Sequence, residues 1–240
     1  MKIDELIKVI RTLRKKCPWD RRQTMASIKA SLIEEAYEAV EAIETGDPDR
    51  IREEAGDFLF LGLFLADLLA QEKGVSFSAL VKSTVGKYKA KHPHVYAREK
   101  LRTADEVLRF WQRAKPDVFA GIPTALPALM AARLVQERAA RLGFDWDSHR
   151  GPLNKVREEL REVKEALKTR RIREEYGDLL FACVNLARHL GVESEDALRR
   201  ANKKFIGRFR RVQKELAKSG RRMETATLRD LDRIWERIKK

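Results

Sequence analysis

Eight acidic residues fall into two sets of one form, E-x-x-E followed by E-x-x-D. The first is Glu35, Glu38, Glu54 and Asp57; the second is Glu159, Glu162, Glu175 and Asp178. Residues three apart on a helix share a face, so each pair projects in one direction. If the two helices of a set run antiparallel from a short turn, Glu38 and Glu54 both stand about 8–9 Å from it, and Glu35 and Asp57 about 12–14 Å. The second set reaches the same levels with its turn at Thr169. Its pairs are three residues closer together, a difference the turn can absorb. Four carboxylates then come level across a helix hairpin, twice. Like charges so placed repel, raise one another's pKa and resist burial. A hard divalent cation removes the conflict, and all-oxygen ligation suits Mg²⁺ or Mn²⁺. Because Mg²⁺ keeps waters and bridges substrate phosphates, the matching substrate is a phosphate ester or anhydride. A single E-x-x-E is usually a solvated face. Recurrence of the whole pattern beside the apolar run FLFLGLFLADLLA argues otherwise here.

The elements that must carry these acids read as helices throughout. Apolar residues recur at helical spacing, Gly and Pro number only 12 and 7, and no convincing strand run is present. Helices are expected at about 3–15, 26–44, 49–73, one begun by Ser76 or Ser78 and ending before 92, then 104–115, 127–142, 152–168, 171–190, 194–218 and 228–239. Asp47 and Pro48 make an N-cap and first helical position. Gly74 stops a helix, and Gly143 and Gly191 stand where C-terminal caps belong.

The chain also repeats itself. EEAGDFLF (53–60) and EEYGDLLF (174–181) agree at six of eight positions across 121 residues. Upstream, IEEAYEAVEAI (33–43) parallels REELREVKEAL (157–167); downstream, KYKAK (87–91) parallels KFIGR (204–208). Three blocks in one order indicate an internal duplication. The expected organisation is an all-α pair of tandem helical-bundle units, at 1–115 and 127–240, joined by a Pro- and Gly-bearing linker at 116–126.

Composition narrows the class. A net charge of +14 favours polyanionic partners or a heavily solvated surface. Two distant cysteines, Cys17 and Cys183, argue against a disulfide framework or a zinc site and fit a cytoplasmic setting. The opening residues read as an amphipathic helix rather than a signal peptide, and the apolar run at 58–70 is too short for a bilayer, so no membrane partner is expected. No G-x-x-x-x-G-K-[ST] loop is present, which excludes a P-loop NTPase.

The order CPWD…QT, SLIEEAYE, EEAGDFLF and KHPHVYA, then RAARLGFDW, REELREVKE, EEYGDLLFACVNLARHLG and ALRRANKKF, resembles the two-domain MazG-type nucleoside triphosphate pyrophosphohydrolases from about residue 10 to 215. That resemblance implies a metal-dependent all-α homodimer that hydrolyses NTPs to NMP and pyrophosphate, removing unwanted nucleotides. The family's metal ligands fall on the eight acids. Its basic substrate contacts fall on Lys204 and Arg208, preceded by Asn202; Arg171 stands where a Lys is frequent, and Trp235 matches a tryptophan near the base. In the first unit Lys87 and Lys91 take the basic places, but Val85 or Gly86 stands where the second unit has Asn202. The second unit is therefore expected to carry the turnover, with Glu159, Glu162, Glu175 and Asp178 as its catalytic set.

Trp19 and Asp20 of CPWD, and Trp146 of FDW, either line a base pocket or plug helix ends. His92 and His94 read as structural or solvated. Two other functions fit less well. One is an all-α pyrophosphatase confined to pyrimidine nucleotides. The other is a basic helical nucleic-acid-binding or regulatory module, which two facing acidic hairpins argue against, since bare carboxylates repel phosphates.

Overall fold

The computed structural model describes residues 3–113 and 117–239, and among these every regular element is helical. In chain order the helices are α1 (Ile3–Lys16), α2 (Lys29–Thr45), α3 (Pro48–Lys73), α4 (Phe77–Lys91), α5 (Pro93–Tyr96), α6 (Ala104–Arg113), α7 (Ala128–Ala140), α8 (Arg150–Ala166), α9 (Ile172–His189), α10 (Ser194–Lys218) and α11 (Leu228–Lys239). Contacts divide the chain into two compact units between Val107 and Leu108, within α6. The expected boundary at 115/116, and the expected helix end at 115, lie outside the described residues.

Local chemistry sets the helix ends. Asp47 caps α3 by accepting from the Asp49 backbone N–H, and Pro48 takes the first position, where no donor is lost. Gly143 and Gly191, at the expected C-terminal positions, have φ of 88° and 68°, a region costly for any residue with a Cβ. Two segments read as irregular in sequence form single turns. Asp20–Arg22 is a 3₁₀ turn and Pro93–Tyr96 one helical turn started by proline.

In the first unit α3 packs most extensively on α2 and then on α1. Its core gathers Ile10, Ile28, Leu63, Phe64 and Leu68, flanked by Leu6, Phe60 and Phe77. Arg14 braces the CPWD loop against this core. Its guanidinium donates to the Asp20 and Gln23 carbonyls and to Gln71 Oε1, and it lies 5.5 Å from the Phe64 ring centroid. In the second unit the α8–α9 hairpin is the most extensive contact, α7 packs on α9 and α10, and α11 folds back along α10. Arg138 of α7 donates to the carbonyls of Val118 (3.0 Å) and Ala120 (2.8 Å), tying the segment before α7 onto the unit.

Leu68 is fully buried at the centre of the first core. Leu68→Ala should cost about 2–5 kcal/mol, read as a lower midpoint of chemical denaturation, whereas truncating the exposed Leu228 should change it little.

Candidate active site

Each hairpin is closed by the same threonine device. Thr45 Oγ1 donates to the Ala42 carbonyl (2.7 Å) and accepts from the Asp47 backbone N–H (3.3 Å). Thr169 Oγ1 donates to the Ala166 carbonyl (3.0 Å) and accepts from the Arg171 N–H (3.2 Å). The two threonines are 124 residues apart, as are Glu35 and Glu159, while Glu54 and Glu175 are 121 apart. The three missing residues therefore lie just after the second threonine. They shorten the start of α9, which places Arg171 directly before its first turn.

Antiparallel packing then converts spacing into proximity. Glu35, Glu38 and Glu54 bring carboxylate oxygens within 4.8 Å of one another, and so do Glu159, Glu162 and Glu175. Four acids per cluster were expected; three converge, while Asp57 and Asp178 are exposed beside their groups. The expected levels are visible in the electrostatics. Burial raises the pKa of Glu35, with Asp57 as its leading charged neighbour; burial likewise raises that of Glu54, with Glu38 leading.

The second cluster is the drier. Glu159 and Glu175 are each only 4% exposed. Lys155 bridges Glu159 at 2.6 Å and Glu158 at 2.9 Å, and these bonds raise the lysine's pKa. Arg171 bridges Glu175, yet burial still holds that carboxyl above its ordinary value. Glu162, as a neighbouring negative charge, pushes the Glu175 carboxyl the same way. Like charges held this close oppose full ionisation of the group. The Oε2 atoms of Glu35 and Glu159 are buried without any partner. An acceptor left orphaned inside a group of acids fits a cation: both clusters could hold a metal ion.

A cavity of about 540 Å³ adjoins the second cluster. Glu159 and Asp178 reach it, and Phe119, Phe144, Trp146 and Phe181 form its aromatic wall. The Trp146 indole lies against the α8 backbone so closely that a Cβ on Gly151 would stand 2.2 Å from Cδ1. A network braces the loop carrying it. Asp145 accepts from Arg188 at 2.8 and 2.5 Å and pairs with His189 at 2.8 Å. The Arg188 bonds are the main reason that the Asp145 pKa falls to about 2.

Other sequence-derived positions lie apart from this cavity's wall. Asn202 and Lys204 are exposed on α10 and Arg208 is half-buried. Trp235 packs on Phe205 with ring centroids 5.2 Å apart. In the first unit Lys87 and Lys91 lie over the Tyr88 ring, at 5.2 and 5.9 Å from its centroid. Trp19 is 65% exposed, while neighbouring Asp20 is buried in the loop that Arg14 holds. Lys155, Gln136, Asn185 and Arg188 were not singled out from sequence. Lys155 stands four residues before Glu159, a spacing common on solvated helices.

Comparison with known proteins places these features among relatives. The model of the MazG nucleotide pyrophosphohydrolase domain matches residues 23–96 and 147–213. A nucleoside triphosphate pyrophosphohydrolase of Escherichia coli (strain K12) is 38% identical, covering 99% of this chain and 97% of its own. A nucleoside triphosphate pyrophosphohydrolase/pyrophosphatase MazG of Thermotoga maritima is 37% identical, covering 98% of this chain and 95% of its own. The crystal structure of a mazG-related protein from Thermotoga maritima aligns with a TM-score of 0.42 at 24% identity, over 46% of this chain and 96% of that one.

Asp145 supplies a pH test of the loop brace. A depressed folded pKa contributes stability above the unfolded value of 3.8 that is lost as pH falls toward 2. Asp145→Asn should cost about 1–2 kcal/mol at neutral pH, moderated by the group's solvent contact. The gap in melting temperature between wild type and variant should be full above pH 4 and closed near pH 2.

Proposed function

The chain belongs to the MazG nucleotide pyrophosphohydrolase family, and from that premise we propose that it hydrolyses nucleoside triphosphates to the monophosphate and pyrophosphate, chiefly in its second unit. One observation carries the choice of unit: the buried group Glu159, Glu162 and Glu175, with Glu159 Oε2 unpartnered, opens on an aromatic cavity able to hold a base. The first unit's group is more exposed.

In this reading Glu159, Glu162, Glu175 and Asp178 hold Mg²⁺, with Mn²⁺ as its substitute. A cation held there would neutralise charge on the triphosphate and lower the pKa of a water. One carboxylate of the set takes the proton of the attacking water, a role suited to acids whose pKa burial has raised. Lys155 and Arg171 pair with Glu159 and Glu175 in the metal-free protein, and metal binding would free them to meet phosphate oxygens. Asn202, Lys204 and Arg208 add donors and positive charge from α10, Arg208 with the option of bidentate pairing. Trp146 stacks on the base within the cavity. Glu35, Glu38, Glu54 and Asp57 bind a cation in the first unit with Lys87 and Lys91 nearby.

A homodimer completes the reading. Tyr176, Leu180, Leu198, Phe205 and Ile206 of the second unit are exposed apolar side chains that a second copy would cover. Among the described residues no helix is long and apolar enough to cross a membrane.

Activity should require Mg²⁺ or Mn²⁺, vanish in EDTA and release pyrophosphate, not orthophosphate, from an NTP panel. Glu162→Gln should lower kcat by about 10²-fold or more, as expected for a group acting in the transition state, while Glu38→Gln leaves most turnover. The reverse pattern would move the active site to the first unit, and orthophosphate with a diphosphate would reject the reaction class.

Gly151→Ala tests the stacking wall. Within a helix this change normally stabilises by up to about 1 kcal/mol, but here the methyl must displace the Trp146 indole. The expected result is a KM raised about tenfold with kcat changed far less, as for lost uniform binding. An unchanged KM would remove Trp146 from the base site.

A further inference from the structure

The second acid group is not bare in the metal-free protein: two basic side chains already stand on it. Lys155 Nζ lies 2.6 Å from Glu159 Oε1 and 2.9 Å from Glu158 Oε1. Arg171 Nη2 pairs with Glu175 Oε1. Each basic residue is four positions before its acid, one on α8 and the other at the mouth of α9, the spacing at which side chains meet along a helix. Their partners, Glu159 and Glu175, are the two buried members of the group. The first unit is built otherwise. Its Glu35 has the uncharged Ser31 four positions before it. Arg50, four before Glu54, acts on that acid more weakly than the neighbouring acids do.

A divalent ion and the two basic groups compete for one set of oxygens. Carboxylate oxygens of Glu159, Glu162 and Glu175 lie within 4.8 Å of one another. Mg²⁺ binds oxygen at about 2.0–2.1 Å, so on Glu159 Oε1 it would stand within about 5 Å of the Lys155 nitrogen. Like charges at that range repel strongly where water is largely excluded. On the unpartnered Glu159 Oε2 the ion would still meet the field of both basic groups.

We propose that Lys155 and Arg171 form an autoinhibitory pair, which stands in for the metal in the metal-free protein and opposes its entry. The inference rests on reading this group as the metal site. Stability and metal affinity must then move in opposite directions. Removing either side chain leaves a buried acid less compensated, yet opens the group to a divalent ion. A residue that merely shaped the site would, when removed, lower both.

Calorimetric titration with Mn²⁺, in the absence of nucleotide, tests this on full-length protein carrying Glu38→Gln, which takes one acid from the first unit's group. In that background Lys155→Met and Arg171→Met keep an unbranched side chain and remove the charge. Each should raise Mn²⁺ affinity about tenfold. Each should also lower the metal-free melting temperature by about 3 °C or more. Arg173→Met removes the same charge from an exposed position two residues before Glu175, on another face of α9, and should change Mn²⁺ affinity less than about twofold. Affinity that is unchanged, lowered, or raised no further than by Arg173→Met would overturn the proposal.

Lysine labelling of the wild type decides the matter if the variants fail to fold. Acetic anhydride modifies free amines, and Mg²⁺ should speed modification of Lys155 severalfold relative to the exposed Lys8, read by peptide mass spectrometry. A rate that Mg²⁺ leaves unchanged or slows would overturn the proposal as well. Metal binding that the variants do not strengthen would reject this inference alone. No Mn²⁺ binding by any of these proteins would reject the metal site and this inference with it.

Discussion

Everything distinctive in this chain follows from holding carboxylates within 4.8 Å of one another on facing helices. Such an arrangement opposes folding unless something positive or a proton enters it. The metal-free second unit uses partial remedies: Lys155 on Glu159 and Arg171 on Glu175. None reaches Glu159 Oε2, which stays buried and unpartnered. Hairpin turns, helix lengths and cores can be understood as the framework that keeps these acids level against their repulsion.

The two copies resolve the same conflict differently. After Thr45 the chain spends three more residues before its E-x-x-D pair than it does after Thr169. The first unit therefore gains a capped, proline-started turn, with Asp47 and Pro48 ahead of Glu54. The residue four before Glu54 is Arg50, whose lowering effect on that acid is weaker than the raising effects of burial and the neighbouring acids. In the second unit the residue four before Glu175 is Arg171, which forms an ion pair with it. A small change in turn length thus accompanies a shift from a half-solvated acid group to a desolvated one.

Much of this was legible in the sequence because it depends on local periodicity. The E-x-x-E and E-x-x-D spacings fix a face, the threonine, glycine and Asp-Pro signals fix the turns, and together they fix which acids are level. The organisation into two all-helical units followed from the repeated blocks, and the family model matches both halves. What escaped was set by tertiary placement. Gln136 lies in LVQERAA, where a glutamine among charged residues reads as solvated, yet it is buried and donates to the Phe181 carbonyl, 45 residues on. The cavity draws its wall from α7, α8, α9 and the segment at Phe119, and Arg138 holds that segment through two backbone carbonyls. No one-dimensional pattern marks such a convergence. Equal depth along two helices leaves their splay undetermined, so Asp57 and Asp178 stand beside their groups rather than within 4.8 Å of all three other acids.

The Asp178 position connects the two halves of the second site. It lies one turn beyond Glu175 on α9 and contributes to the cavity wall together with Glu159. Further along α9, Phe181 supplies both an aromatic surface and the carbonyl that anchors Gln136, and Asn185 and Arg188 join the brace to Asp145. A single helix therefore carries the acid end, the stacking wall and the polar far end in order. Because a helix is stiff, the spacing between these groups is set by rise alone and changes little with loop motion. A ligand long enough to span these groups meets them at spacings the helix itself fixes.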